Sequence, residues 1–332
     1  MKTFTSLSEF DKPKNGCVLA IGNFDGIHIG HQSIIARAGE LAGQYRLPLV
    51  GMTFDPAAIK VLRPELAPRI LTPSNVKSCL LEALGLDQLI VIQTTCDFLA
   101  QSPGEFIEHI TVNRLNAIHL VEGESFAFGH RRQGSVEMLG ELAKRFGFEV
   151  HLVPSKSLVP DDRSGPVVVS STFIRQQITA CRFDQVRRCL GRFYEIAGRV
   201  VPGHGRGHKI GFPTANLRLY APDQLVPPDG VYGAYVRVGD STQQVCGSPR
   251  SIPAAVSIGS CETFSDGNWQ IEAHLLDFDA PLDSLYDKHM FIAIVDRIRQ
   301  QEKFKSAEDL IDAITDDCRK VRLALLSQGT DT

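Results

Sequence analysis

Through the first half of the chain, apolar runs of strand length alternate with helix-like stretches, and after Gly191 that alternation stops. The runs are Cys17–Ile21, Leu47–Phe54, Gln88–Gln93, Ala117–Glu122 and Glu149–Val153, with helical periodicity at His31–Tyr45, Thr72–Leu84, Pro103–Leu115 and Ser135–Phe146. This alternation specifies an α/β domain with a parallel, doubly wound sheet, whose ligands bind at the carboxyl ends of strands. Further helices are expected at Ser171–Ala180 and Asp184–Leu190. Beyond them come short β-like runs at Tyr194–Val201, Val231–Val238, Ile252–Ile258, Gln270–Leu276 and His289–Ile298, punctuated by Gly, Pro and Asp. They read as a small all-β barrel. A terminal helix closes the chain: Ser306 and Asp309 form a capping-box pattern, and Leu310, Ile314, Val321 and Leu325 form an apolar stripe. The boundary is expected near residues 181–191, dividing the chain into 1–185 and 186–332.

The segment Gly22–His31, GNFDGIHIGH, directly follows the first apolar run. A strand ends, a glycine-rich loop turns, and two histidines three residues apart open a helical segment. That spacing puts His28 and His31 on the same side of a helix start, beside free N–H groups and the positive end of the helix dipole. Such a place binds phosphate, and a donating histidine there stabilises charge growing on a phosphoryl oxygen.

Bulk properties exclude several classes. The 332 residues suit two domains, and 43% hydrophobic and 22% charged content is ordinary for a globular protein. A net charge of −3 without a basic block argues against nucleic-acid partners. No apolar run reaches about 18 residues, which argues against a membrane span, and MKTFTSLSEF lacks a signal-peptide core. The eight cysteines include no CxxC pair, so zinc of that kind is not expected and the thiols read as reduced, which suits the cytoplasm. Oligomeric state stays open.

Three further clusters carry donors. GESFAFG at Gly123–Gly129 lets backbone approach a ligand, and is equally a simple turn. SSTFIR at Ser170–Arg175 gathers hydroxyl, amide and guanidinium donors at a helix start; this suits a polyphosphate, or a plain N-cap. GHGRGHKIGFPTAN at Gly203–Asn216 is no Walker A loop, but its N–H groups can cover phosphates. In it Thr214 and Asn216 offer hard oxygens suited to Mg²⁺ on one side of an extended strand. A glycine-rich surface hairpin is the alternative. In QIEAHLLDF, alternation puts Glu272, His274 and Leu276 on one face. Glu272 there is either a proton acceptor for a substrate hydroxyl or a solvent-facing strand residue.

Taken in order, these motifs resemble the prokaryotic bifunctional riboflavin kinase/FMN adenylyltransferases, or FAD synthetases, over about residues 15–325. GNFDGIHIGH and SSTFIR carry the N-terminal half of the resemblance; GFPTANL, DGVYGAYV, IEAHLLDF and IRQQEKFKSAEDL carry the C-terminal half. It implies a Rossmann-like nucleotidylyltransferase domain that adenylylates FMN with ATP, releasing pyrophosphate and FAD, and a riboflavin kinase barrel that phosphorylates the riboflavin 5′-hydroxyl with Mg²⁺–ATP. His28 and His31 would act at the ATP α-phosphate, and Ser170, Ser171, Thr172 and Arg175 at the β,γ-phosphates. Thr214 and Asn216 would bind Mg²⁺–ATP, and Glu272 would be the general base. The resemblance also assigns Gly22, Phe24, Gly30, Ser125, Gly203, Gly205 and Lys209 to ATP or phosphate, and Arg299 and Phe304 to flavin. Partners are then small molecules only.

The chain departs from the family pattern at several points. Phe54-Asp55-Pro56-Ala57-Ala58 stands for Phe-x-Pro-His-Pro, and Ser125 for Asn or Asp. His208 replaces a basic residue, Ser257–Thr263 loses an arginine, and Tyr286-Asp287 stands for Tyr-Gly. Two alternatives therefore accompany the bifunctional reading: one surviving activity, FMN adenylylation foremost, or a non-catalytic flavin- or nucleotide-binding regulator.

Overall fold

The computed structural model describes residues 1–161, 165–203, 207, 210–260 and 269–327. They form two compact units: Met1–Pro68 with Lys77–Ser170, and Arg69–Val76 with Ser171–Thr332.

The first unit is a six-stranded parallel sheet in the order β1-β4-β3-β2-β5-β6. The strands are β1 (Lys2–Phe4), β2 (Cys17–Ile21), β3 (Leu49–Phe54), β4 (Gln88–Ile92), β5 (Ala117–Gly123) and β6 (Glu149–Val153). All five residues of β2 are buried, as expected of a central parallel strand covered on both faces. On one face α1 (Ile29–Tyr45) packs Ile35, Ala38, Leu41 and Ala42 against Val18, Ala20 and Val121. On the other, Phe106, Ile107 and Ile110 join Leu139 and Ala143 of α3 (Val136–Phe146) over Leu19, Ile21 and Leu120. The helix α2 is Ser74–Ala83. From β2 the chain builds outward through β3 and β4, then returns to place β5 on the opposite side of β2. That reversal leaves a crevice outside the carboxyl end of β2, where the loop Gly22–His28 leaves the sheet.

The helix expected at Pro103–Leu115 forms, but most of it is wound wide. After one turn at Pro103–Glu105, residues Phe106–Arg114 are π-helical, and Leu115 N–H donates to Ile110 O at 2.9 Å. A short antiparallel pair, β7 (Ser157–Leu158) with β8 (Val167–Val168), ends the unit.

The second unit is a closed antiparallel barrel in which β9 (Tyr194–Val201), β10 (Ala215–Leu219), β13 (Trp269–Leu275), β12 (Ile252–Ser260), β11 (Gly230–Gly239) and β14 (His289–Gln300) pair in that circular order. The terminal helix α6 (Ala307–Ser327) covers an outer patch with Val321 and Leu325 against Ala255, Leu276 and Val295. Its start is capped as expected: Asp309 N–H donates to Ser306 Oγ at 3.0 Å.

Packing divides the chain at Ser170, earlier than the 181–191 boundary expected from sequence texture. The helices α4 (Ser171–Thr179) and α5 (Phe183–Leu190) belong with the barrel. Phe183 packs edge-on to the buried Tyr232 of β11, with ring centroids 5.8 Å apart. A second departure is non-local: residues 69–76 also belong to the barrel unit. Ile70 N–H donates to Asp223 O at 2.9 Å, and Leu225 N–H to Ile70 O at 2.8 Å. Gln224, wholly buried, donates from Nε2 to Leu71 O at 3.4 Å. No helix of the described residues is long and apolar enough to cross a membrane.

Candidate active sites in the two units

In the first unit, α1 starts at Ile29 because His28 is its N-cap, with extended backbone and Nδ1 accepting the His31 N–H at 3.4 Å. The two imidazoles stack with centroids 3.8 Å apart and planes 19° apart, so the expected same-side placement holds. A Cβ at Gly30 would lie 3.1 Å from the His28 ring, so glycine keeps that ring in place. Phe24 and Ile27 both hold positive φ, 45° and 42°, which is strained backbone for these side chains. Both are about 1% exposed, and their burial fixes the turn. Gln32 Nε2 also donates to Ile27 O at 2.9 Å. Buried Phe24 is therefore a supporting residue: its ring meets His31 edge-on at 5.4 Å. Gly22 permits this, since a Cβ there would lie 3.1 Å from the Phe24 ring.

The site is electrostatically unusual. His31 titrates well below the ordinary histidine range, because it is buried, then because of His28, then Lys77. Among the described residues its buried Nδ1 has no hydrogen-bond partner. An orphaned acceptor is more tolerable than an orphaned N–H, which assigns the proton to Nε2. His28, whose Nδ1 accepts a bond, has the same tautomer. Buried His31 is thus a neutral Nε2–H donor stacked on the His28 ring.

Two buried ionisable groups here escaped the sequence reading. Lys77, 8% exposed, donates to Asn23 O at 2.8 Å, and Thr53 Oγ1 donates to the same carbonyl at 3.2 Å. Burial lowers the Lys77 pKa, while Asp25 and Asp55 oppose that shift. The only sequence signal was a lysine in the apolar stripe of Val76, Leu80 and Leu81. Glu122, 2% exposed, accepts the Ile21 N–H at 2.8 Å and so holds the end of β2. Burial raises its pKa well above the carboxylate range, against the lowering effect of that bond.

Ser125 is exposed in the tight turn closed by Phe126 N–H to Gly123 O at 2.9 Å. Ser170 ends the first unit, whereas Ser171, Thr172 and Arg175 start α4 in the second. Thr172 is exposed, and Arg175 Nε donates to Arg69 O at 2.7 Å.

In the barrel, Asn216 and Glu272 are direct register partners on β10 and β13, and Glu272 is in turn opposite Ser257 on β12. Paired residues of an antiparallel ladder share a face, with Cβ atoms about 4.5–5.5 Å apart. Asn216 is 7% exposed. Gly203 lies against it: a Cβ there would overlap Asn216 Nδ2 and come 2.7 Å from Cγ. Thr214, two residues before Asn216, is followed into β10, and a Cβ at Gly207 would lie 3.5 Å from Thr214 Oγ1. His274 Nδ1 pairs with Pro213 O at 2.8 Å, tying this segment to β13. The Thr214, Asn216 and Glu272 oxygens are hard donors of the kind a small divalent cation takes. Gly205 and Lys209 lie outside the described residues, as do His208 and Cys261–Thr263.

Arg299 and Phe304 come together, with the guanidinium 5.3 Å from the ring centroid. The Arg299 donors are largely engaged: Nε and Nη2 bind Asp317 of α6 at 2.8–3.1 Å, and Nη1 binds Gln300 O at 3.0 Å. Arg299 therefore anchors the terminal helix, whatever its further role.

Residues 10–167 match the FAD synthetase family and residues 190–325 the riboflavin kinase family. A bifunctional riboflavin kinase/FMN adenylyltransferase of Pseudomonas fluorescens is 32% identical over 97% of each chain. One from Listeria monocytogenes is 33% identical over 92% of this chain and 91% of its own. A macrolide-efflux protein of Streptococcus pneumoniae has a crystal structure with TM-score 0.79 and 28% identity, covering 96% of this chain and 98% of that one. With both family models matched in order and relatives above 30% identity matched over nearly their whole length, the chain belongs to the bifunctional riboflavin kinase/FMN adenylyltransferase family.

Proposed function

We propose that this chain makes FAD in two ATP-dependent steps, riboflavin to FMN in the barrel and FMN to FAD in the α/β unit. The stacked His28–His31 pair at the start of α1 is the observation that carries the second step. Imidazole N–H groups at a helix start donate to an incoming phosphate, and burial makes each such bond count more. The FMN phosphate oxygen attacks the ATP α-phosphorus, the bond to the bridging oxygen breaks, and pyrophosphate leaves. His28 and His31 hold the α-phosphate oxygens as charge builds on them. Lys77 and Thr53 fix the Asn23 carbonyl, and so the loop that presents the pair. Ser170, Ser171, Thr172 and Arg175 bind phosphate as a helix-start donor set, and Ser125 adds a hydroxyl.

In the barrel, Glu272 takes the proton of the riboflavin 5′-hydroxyl as its oxygen attacks the ATP γ-phosphorus and ADP leaves. Thr214 and Asn216 would hold Mg²⁺, which would supply positive charge to the phosphate oxygens. Gly203, Gly205 and Lys209 cover the phosphates, and the Arg299–Phe304 pair borders the flavin. The substrates are small molecules of the cytoplasm, where we infer the protein works.

A time course with ATP and Mg²⁺, started from riboflavin and separately from FMN, tests this. FMN should rise and then give way to FAD in the first, and FAD should appear directly in the second. FAD from FMN alone would remove the kinase assignment, and flavin binding without turnover would remove both.

A further inference from the structure

We propose a transition-metal site, of Zn²⁺ type, formed by His119 of β5 with Glu149 and His151 of β6. These strands are neighbours in parallel register, with His119 opposite Glu149 and Val121 opposite His151. Positions 149 and 151 share a face by strand alternation, and it is the α1 face, since Val121 packs there. The register therefore brings the three side chains to one point.

Three ligand atoms converge. His119 Nδ1 is 3.2 Å from His151 Nε2 and 3.3 Å from Glu149 Oε2, and His151 Nε2 is 3.6 Å from that same oxygen. A tetrahedral centre with bonds of about 2.0–2.1 Å sets its ligands about 3.3–3.4 Å apart. The observed triangle has that size.

With Glu149 ionised, hydrogen bonding does not satisfy all three edges at once. Each nitrogen is either an N–H or a lone pair, and an ionised carboxylate oxygen only accepts. If both nitrogens carry protons, two N–H groups face each other. If only one does, the other nitrogen opposes the carboxylate, lone pair against lone pair. If neither does, all three edges are repulsive. A neutral carboxylic acid at Glu149, whose O–H both donates and accepts, is the one hydrogen-bonded arrangement that satisfies every edge, and the Zn²⁺ titration separates it from a metal centre. A cation at the centre satisfies all three lone pairs together.

The surroundings suit such a centre. His119 is buried, its side chain 3% exposed, with the Tyr45 ring against it at 4.3 Å. His151 is held below the ordinary histidine range by burial first, with His119 and Arg37 adding to that and Glu149 opposing it. Arg37, the nearby cation, is ion-paired to Glu40 at 2.8 Å. Glu149 is 64% exposed, which leaves a fourth position open to water. Two imidazoles and a carboxylate suit Zn²⁺ better than the hard-oxygen cations.

The role is structural. His119 is opposite Val18 near the start of β2, three residues before Ile21, so the site is about 10 Å along the sheet from the histidine loop. β6 is the edge strand, and a metal clip fastens it to β5.

The full-length chain, stripped with a chelator, is titrated with Zn²⁺ against a chromophoric competitor, beside His151→Ala and Glu149→Ala. Expected is one equivalent more in the wild type than in either variant, or that equivalent weakened at least about 100-fold. Co²⁺ should give the wild type an intense tetrahedral visible band that both variants lack. Zn²⁺ should slow hydrogen exchange of β6 in the wild type alone. Glu149 is surface-exposed, so its variant keeps the test valid if His151→Ala misfolds. No tight Zn²⁺ equivalent in the wild type, or equal binding in all three proteins, overturns the proposal.

Discussion

Replacing Gly203 by alanine tests whether the barrel site depends on the close approach of the glycine loop to Asn216. The added Cβ would overlap Asn216 Nδ2 and come 2.7 Å from Cγ. Ordinary contact begins near 3.4 Å, so Cγ must retreat by about 0.7 Å and Nδ2 by more. Asn216 is 7% exposed and its strand is paired on both sides, so it has little room to yield. The loop or the Asn216 oxygen therefore moves by an amount of the order of 1 Å, which typically costs about 100-fold in rate. That is about 2.7 kcal/mol of transition-state stabilisation. Riboflavin phosphorylation is measured at saturating ATP and Mg²⁺, FMN adenylylation in parallel, and Gly247→Ala serves as a control at a glycine with open space around it. The kinase should fall about 100-fold, while adenylylation and the control stay unchanged. Kinase activity of the folded variant within about threefold of wild type, far short of the loss a 1 Å misplacement brings, would refute the reasoning.

His31→Ala should cost adenylylation about 100- to 1,000-fold and leave FMN formation intact, as read by the two separate assays. Glu272→Gln should do the reverse, with about 100- to 10,000-fold loss of the kinase; loss of both activities in either folded variant would contradict the two-site assignment. Glu122→Gln keeps the acceptor for Ile21 N–H and removes a proton equilibrium. Because the folded pKa is raised, the folded state holds one extra proton from about pH 4.3 up to that pKa, and wild-type stability falls there with rising pH. The variant should lack that slope, which reaches about 1.4 kcal/mol per pH unit; parallel urea-unfolding curves, read by hydrogen exchange in β2 and β5, would oppose this. Asp317→Ala leaves the 16%-exposed Arg299 unpaired, so α6 should lose about 3 kcal/mol of protection in hydrogen exchange.

What was legible in the sequence is what local periodicity carries. β2 was read to the residue because five apolar positions end at a glycine. The start of α1 was read at His31, two residues late, because histidine is not among the usual N-cap residues. Phe24, which the resemblance assigns to ATP, has its side chain buried by the backbone turn, and no local pattern showed that. β1 was missed: it is three residues long and pairs with β4, far along the chain. The Asn216–Glu272–Ser257 row, the His119–Glu149–His151 triangle and the buried Glu122 all depend on register between distant strands. No window of neighbouring residues contains register. Lys77 carried a faint local signal, a charge among leucines, and its contact with Asn23 is again non-local.

Residues 69–76 give the barrel unit a debt to a distant part of the chain. A ribosome emits Ile70 and Leu71 early, yet Gln224 follows Leu71 by 153 residues, so these amides wait for most of the protein before they find their partners. A fragment cut at Ser170 or at residue 186 would contain every barrel strand and still lack the staple that receives Gln224 Nε2 and, for the longer fragment, Arg175 Nε. Two activities can thus share a chain that does not divide into two contiguous genes' worth of protein. Shuffling the kinase barrel onto another partner would require carrying an eight-residue piece of the other half with it.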